Sequence, residues 1–333
     1  MTQRITRRSL LKSFAGGLTA GTLTSGLAAE SLAGALPTPS GPTSRNASME
    51  RLRSRINPDR VLLWENTRKE IRELLESGLL KAAILPAGSI EQHNEHIALV
   101  EDTAHATFYA KQIALELYPN VIVAPPSFCG YAPYWMSRKG SITLRRETFQ
   151  AYIFDVLHSL KAQGIHTLLV LNGHGGNQQP LKEMEEIWRS KLGVTLDVDS
   201  VWAPTPPDFV NNVLESKERL SHGEEYETSI ALAAHPHRVR RVTMKEYDEA
   251  KLNYESGFTP EVEHFLRIDG RTFIDGRINE EGENATDRAR QKQSLLATAT
   301  KGEILIARVV EYYVEKLQKM IAATESGKPW PSL

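Results

Sequence analysis

The chain of 333 residues has one cysteine, Cys129. That excludes an internal disulfide framework and any thiolate-cluster zinc site. Neither sign of charge is in excess, with 40 Lys and Arg against 41 Asp and Glu. A global basic field is therefore missing, and no nucleic-acid partner is expected. Long hydrophobic runs are missing as well. The weakly polar stretch at residues 14–29 is broken by Gly and Thr, and a mean hydropathy of −0.36 excludes a polytopic membrane protein. Hydrophobic residues still make up 41% of the chain, enough for a sizeable core. Any metal chemistry here must use histidine and carboxylate.

What is present begins with an address. Thr6-Arg7-Arg8-Ser9-Leu10-Leu11-Lys12 precedes a mild Gly/Ala/Thr run, the pattern of a twin-arginine export signal over residues 1–35. Ala33-Gly34-Ala35 supplies a small-x-small cleavage site. Residues 36–47 are rich in Pro, Ser and Thr and read as a disordered linker. One mature domain follows over residues 48–333. The expected partners are the twin-arginine export machinery and a small-molecule substrate. The expected location is periplasmic or secreted, with no membrane attachment after processing.

The body alternates strand and helix. Thr67 and Glu70 form a capping box ahead of a helix. Apolar strands are expected at residues 81–86, 121–124 and 165–171, separated by amphipathic helical stretches. Near-continuous apolar strands joined by helices predict an α/β fold: three layers, α/β/α, around a mostly parallel sheet. Ligands collect at the carboxyl ends of such strands. Two polar loops start there, at residues 88–102 and 172–177.

In the first loop, extended backbone turns Glu91 and His93 to one side, and Asp102 at a helix start can reach the same point. Read singly, Glu91, His93 and His96 are also compatible with a solvated loop, and Asp102 with a helix cap. In the second loop His174 stands among glycines. This loop lacks the lysine and spacing of a phosphate-binding loop. A third cluster, residues 221–229, opens a helix-like run with His222 and the three acids Glu224, Glu225 and Glu227. His158, His166, His235 and His237 read as structural or solvated.

Pro86-x-Gly-Ser-x-Glu-Gln-His-x-x-His96, Asp102, Asn172-Gly-His-Gly-Gly-Asn177, His222 with Glu-Thr-Ser229, and Ala297-Thr-Ala-x-x-Gly302 together resemble the motifs of the creatininase family of metal-dependent amidohydrolases. The resemblance implies two divalent ions, Zn, Mn or Fe. Glu91 and His174 would bind one ion, His93 the other, and Asp102 would bridge them. It also implies a homo-oligomer.

Creatininase carries a further metal-binding Glu where this chain has Gly176, and an acid–base Glu where it has Ser221. Creatinine hydrolysis is therefore not expected. Glu225 is expected to supply the missing ligand, with His222 as the catalytic proton-transfer residue and Glu227 orienting it. Tyr134, Trp135 and Ser141 lie where the family's pattern is lost and are expected to contact substrate. The implied activity is hydrolysis of a cyclic amide, formamide or related C–N bond. The alternatives are a non-catalytic periplasmic metal-binding protein, or a family branch acting on a cyclic ketone or a peptide bond.

The export reading is tested by replacing Arg7 and Arg8 with lysine. The protein should then stay cytoplasmic in cell fractionation, and continued periplasmic accumulation would refute the signal.

Overall fold

The computed structural model describes residues 57–136, 140–249 and 280–330; the export signal and linker lie outside the described residues. Strand β1 (Ala82–Ala87) reads Ala-Ala-Ile-Leu-Pro-Ala, and all six residues are buried. Burial on both faces belongs to the interior of a parallel sheet covered by helices. Strands β2 (Val121–Val123), β3 (Thr167–Asn172) and β4 (Thr195–Ser200) complete that sheet. The order is β2-β1-β3-β4, every neighbour parallel.

Helices α1 (Arg68–Glu76), α2 (Glu101–Glu116), α3 (Arg146–Ala162) and α4 (Gln178–Leu192) alternate with the strands. Then come α5 (Pro207–Val213), α6 (Glu225–Ala234), α7 (Met244–Glu249), α8 (Glu280–Ser294) and α9 (Ala299–Ser326). The capping box at Thr67 and Glu70 forms as the spacing predicts.

Alternate residues of β1 feed two cores. Ala82 and Ile84 pack with Tyr109 and Ile113 of α2, Ile230 of α6, and Leu305, Val309 and Tyr313 of α9. Ala83 and Leu85 pack with Phe149 and Ile153 of α3 and with Leu181 and Trp188 of α4. The sheet therefore lies between two helical layers, as expected from its apolar strands. Among the described residues no helix is long and apolar enough to cross a membrane.

Strand β4 is absent from the sequence expectation because acids interrupt it. Leu196 and Val198 face one core, while Asp197 and Asp199 turn to the other side. There Lys316 of α9 sits 3.0 Å from Asp197 Oδ2 and 2.5 Å from Asp199 Oδ2. A charged, alternating edge strand carries less apolar signal than a central one.

The Ala297–Gly302 motif has a packing role. Thr298 caps α9 by accepting the Lys301 amide. A Cβ at Gly302 would stand 2.0 Å from the Ser229 carbonyl oxygen. Glycine costs a helix interior about 1 kcal/mol relative to alanine, yet only glycine lets α6 and α9 approach this closely. That approach sets where the start of α6 lies. Ala87, Asn172 and Ser200 stand in register at the carboxyl edge of the sheet.

Candidate metal centre

Two close backbone approaches gather the loops at that edge. A Cβ on Gly88 would fall 2.2 Å from Thr103 Oγ1, and one on Gly173 would fall 2.3 Å from the Asp102 carbonyl oxygen. Both glycines press the loops after β1 and β3 against the first turn of α2. The Asn177 Nδ2 amide donates to the Gly88 carbonyl at 3.0 Å, while its Oδ1 accepts from the Tyr131 amide at 2.8 Å. Asn172 clamps the next turn, donating to the His174 carbonyl at 2.8 Å and accepting the His174 amide at 3.1 Å. Both asparagines of the Asn-Gly-His-Gly-Gly-Asn segment are thus ties that hold His174 in place.

Glu91, His93, Asp102 and His174 meet in one buried cluster. Asp102 sits at its centre. Its Oδ1 lies 3.2 Å from His93 Nε2 and its Oδ2 lies 3.0 Å from His174 Nδ1. Glu91 Oε1 lies 3.2 Å from the same His174 nitrogen and 3.4 Å from His222 Nδ1. Yet both Glu91 oxygens, Asp102 Oδ2, His93 Nε2, His174 Nδ1 and His222 Nδ1 have no hydrogen-bond partner.

An unsatisfied buried polar group costs about 1–3 kcal/mol, more when it is charged. Six such atoms aimed at one another are therefore expensive unless something between them accepts their lone pairs. Mixed imidazole and carboxylate donors suit Zn, Mn or Fe. The donor set fits divalent metal, and the remaining ring nitrogens are oriented by carbonyls: His93 Nδ1 on Glu91 O at 3.3 Å, His174 Nε2 on Tyr131 O at 3.2 Å.

The electrostatics have the same origin. Burial pushes the Glu91 carboxyl up to about 7, against the pull of His174. Asp102 is equally buried, but the imidazoles of His93 and His174 hold its carboxyl below the usual carboxylate range. Burial opposes charge on His174 too; Glu91 and Asp102 outweigh it and raise the ring to about 10. His93 moves well above its ordinary value for a similar reason, facing Asp102 and Glu227. Without metal, protons hold this cluster together.

His222 reaches the site on an unusual turn. Ser221, His222 and Gly223 all have positive φ, at 53°, 55° and 79°. Two of them are not glycine, and such conformations cost energy that persists only where surrounding structure enforces them. Glu227 helps enforce this one, its Oε2 accepting the Gly223 amide at 2.7 Å. The Trp135 ring packs on the His222 ring at 4.2 Å, and Tyr134 stacks on His174 at 6.4 Å. Burial, with His93 and Arg290 nearby, holds His222 well below its ordinary pKa.

The match to known proteins agrees with this geometry. Residues 64–317 match the family model for Creatininase, described as creatinine amidohydrolase. The chain belongs to the creatininase family. It is similar to a 3-dehydro-scyllo-inosose hydrolase of Thermotoga maritima, 34% identical over 119 residues, which is 35% of this chain and 37% of that protein. It is also similar to a mycofactocin precursor peptide peptidase of Mycobacterium ulcerans, 30% identical over 30% of this chain and 42% of that protein. In each case the match covers less than half of the relative. A solved manganese creatininase has the same fold, with a TM-score of 0.59 and 21% identity over 78% of this chain and 98% of that one.

Within the creatininase family frame, two expectations need correction. Glu225 is not at the cluster. Its carboxylate is buried against Lys301 Nζ at 2.5 Å and accepts the amides of Glu215 at 3.1 Å and Ser216 at 2.7 Å. Glu227 instead faces the cluster, its Oε2 3.7 Å from His93 Nε2. Helical phase is the reason: residues two apart on α6 point about 200° apart, so only one of these acids can face the centre. Ser141 is the second correction. Its hydroxyl accepts the Gln92 amide at 3.3 Å and braces the loop that carries Glu91 and His93.

Other residues are placed as follows. Tyr134 and Trp135 line the centre, whereas residues 137–139 lie outside the described set. His96 is spent on Gln291 at 3.1 Å and Thr228 at 2.9 Å. Arg290 escaped notice in the sequence because α8 is nearly all polar, with no apolar stripe to mark a buried face. Its guanidinium is tied to Asp287 at 2.7 Å and to the Leu220 carbonyl at 3.1 Å, beside the His222 turn. At Gly176 a Cβ would be 2.3 Å from the Tyr131 carbonyl oxygen. That position has no room for a carboxylate.

These placements predict opposite results for two isosteric variants. Glu225→Gln should lower stability by on the order of 2 kcal/mol in denaturant unfolding, through the loss of its pairing with Lys301, and leave metal content unchanged. Glu227→Gln should weaken binding of one metal by about 10- to 100-fold. Elemental analysis showing the reverse pattern would restore Glu225 as the ligand.

Proposed function

We propose that this chain is an exported hydrolase with a two-metal centre that attacks a carbonyl in a cyclic amide, a formamide or a related C–N compound. One observation carries the reading. Asp102 directs its two carboxylate oxygens at two different imidazoles, His93 and His174, without a hydrogen bond at Oδ2. A carboxylate so placed is suited to bridging two cations. Glu91 and His174 complete one side; His93 and Glu227 complete the other, which gives each ion three protein donors with Asp102 counted twice. Catalytic metal sites usually supply three and leave a position open.

Two divalent cations held there would polarise a carbonyl and lower the pKa of a water towards neutrality. The protein's own part is positioning and proton movement. His222 Nδ1, 3.4 Å from Glu91 Oε1 and neutral, is placed to take a proton from the attacking water and return it to a leaving nitrogen. Trp135 fixes the His222 ring from one side, and the left-handed turn fixes its backbone. The flat faces of Tyr134 and Trp135 favour a planar substrate.

The loss of a side chain at Gly176 and the serine at Ser221 speak against creatinine itself. The inosose hydrolase likeness gives a second reading, hydrolysis of a cyclic ketone, on the same metal and proton machinery.

The assay is turnover of a panel of cyclic amides, formamides and cyclic ketones, with metal content read in parallel. Asp102→Ala should lose both ions together. His222→Gln should keep both and lower kcat by about 10²- to 10⁴-fold on whichever substrate turns over. Two retained ions in Asp102→Ala, or undiminished turnover in His222→Gln, would overturn these assignments.

A further inference from the structure

Asp102 has a neighbour that faces elsewhere. Successive residues of a helix point about 100° apart, so Glu101 is directed away from the centre just described. It meets His105, one turn along α2, with Glu101 Oε1 2.5 Å from His105 Nε2. His235, the residue that ends α6, closes the group, its ring centroid 5.5 Å from that of His105. Each of the three offers a ligand atom, and these atoms lie within 4.8 Å of one another. Their residues are 0%, 5% and 6% exposed.

Both Glu101 oxygens, His105 Nε2 and His235 Nε2 lack a hydrogen-bond partner. Tyr109 Oη, a further turn along α2 and close enough for the Glu101 charge to act on it, also lacks one. A proton shared between Glu101 and His105 would satisfy one contact and leave the second Glu101 oxygen and His235 Nε2 stranded in a dry site. The Phe108 ring meets His235 edge-on at 5.8 Å and helps exclude water.

We propose that Glu101, His105 and His235 bind a divalent cation of their own, separate from the centre around Asp102. Two imidazoles and one carboxylate match the donor preferences of zinc and its first-row neighbours. The ligands come from the first two turns of α2 and from the residue that caps the C-terminus of α6. A cation there clips together the two helices that carry Asp102 and Glu227. It also anchors the turn after α6, whose Arg238 carbonyl accepts the Ala98 amide at 3.0 Å. Its role is structural, since all three ligands are buried.

The test uses zinc alone as the probe. Metal-stripped protein is loaded with Zn²⁺, desalted and measured by elemental analysis. His235→Asn should hold one zinc per chain fewer than its parent. In an Asp102→Ala background, which removes the shared carboxylate of the other centre and with it both of that centre's ions, one zinc should remain and should disappear when His235→Asn is added. If His235→Asn does not fold, His105→Gln in the same background is read in the same way. Equal zinc content with and without these changes, in either background, would overturn the proposal. The Asp102→Ala background keeps this result distinct from failure of the two-metal reading, because the loss on adding His235→Asn is read as a difference of one zinc whatever the other centre retains.

Discussion

The carboxylate of Asp102, buried between two imidazoles, is the constraint on which the rest of the structure depends. A charge there is tolerable only if its partners are placed to within tenths of an ångström, because desolvating an ion costs several kcal/mol. The sheet edge supplies that placement. Gly88 and Gly173 press two loops against the α2 start, Asn172 and Asn177 lock those loops, and Gly302 lets α6 approach from the other side. The N-terminal turn of α2 adds a favourable dipole for an acid at this position. The backbone is therefore organised around the side chains rather than the reverse.

What surrounds that frame is the part proposed to select substrate. The space that a side chain at position 176 would need is filled by the Tyr131 carbonyl and the Tyr134 hydroxyl. His222 is held by a turn with three consecutive positive φ angles and by Trp135. Strain of this kind concentrates where geometry matters for chemistry. Arg290 contributes a positive charge behind the His222 turn while remaining tied to Asp287. The candidate metal ligands and this altered wall are separable parts of one site.

Much of this was legible in the sequence. Glu91, His93, Asp102 and His174 follow buried strands in motif order, and β1 and β3 read as parallel-sheet interior because they are apolar throughout. The failures have physical causes. Glu225 and Glu227 differ only in helical phase, which an acid count in a short segment does not reveal. Ser141 turns to the Gln92 amide because the loop it follows pairs with residue 90. Strand β4 hides behind its aspartates, whose partner Lys316 is over a hundred residues away. His235 looks like a loop residue beside a proline, and only the fold brings it to Glu101.

The central claim is that Asp102 bridges two cations. Anomalous diffraction at the zinc edge, from crystals of the zinc-loaded protein, tests it most directly. The account predicts two strong peaks on opposite sides of the Asp102 carboxylate, one contacting Glu91 and His174 and the other contacting His93 and Glu227. A single peak at this centre, or two peaks of which only one touches Asp102, would contradict it.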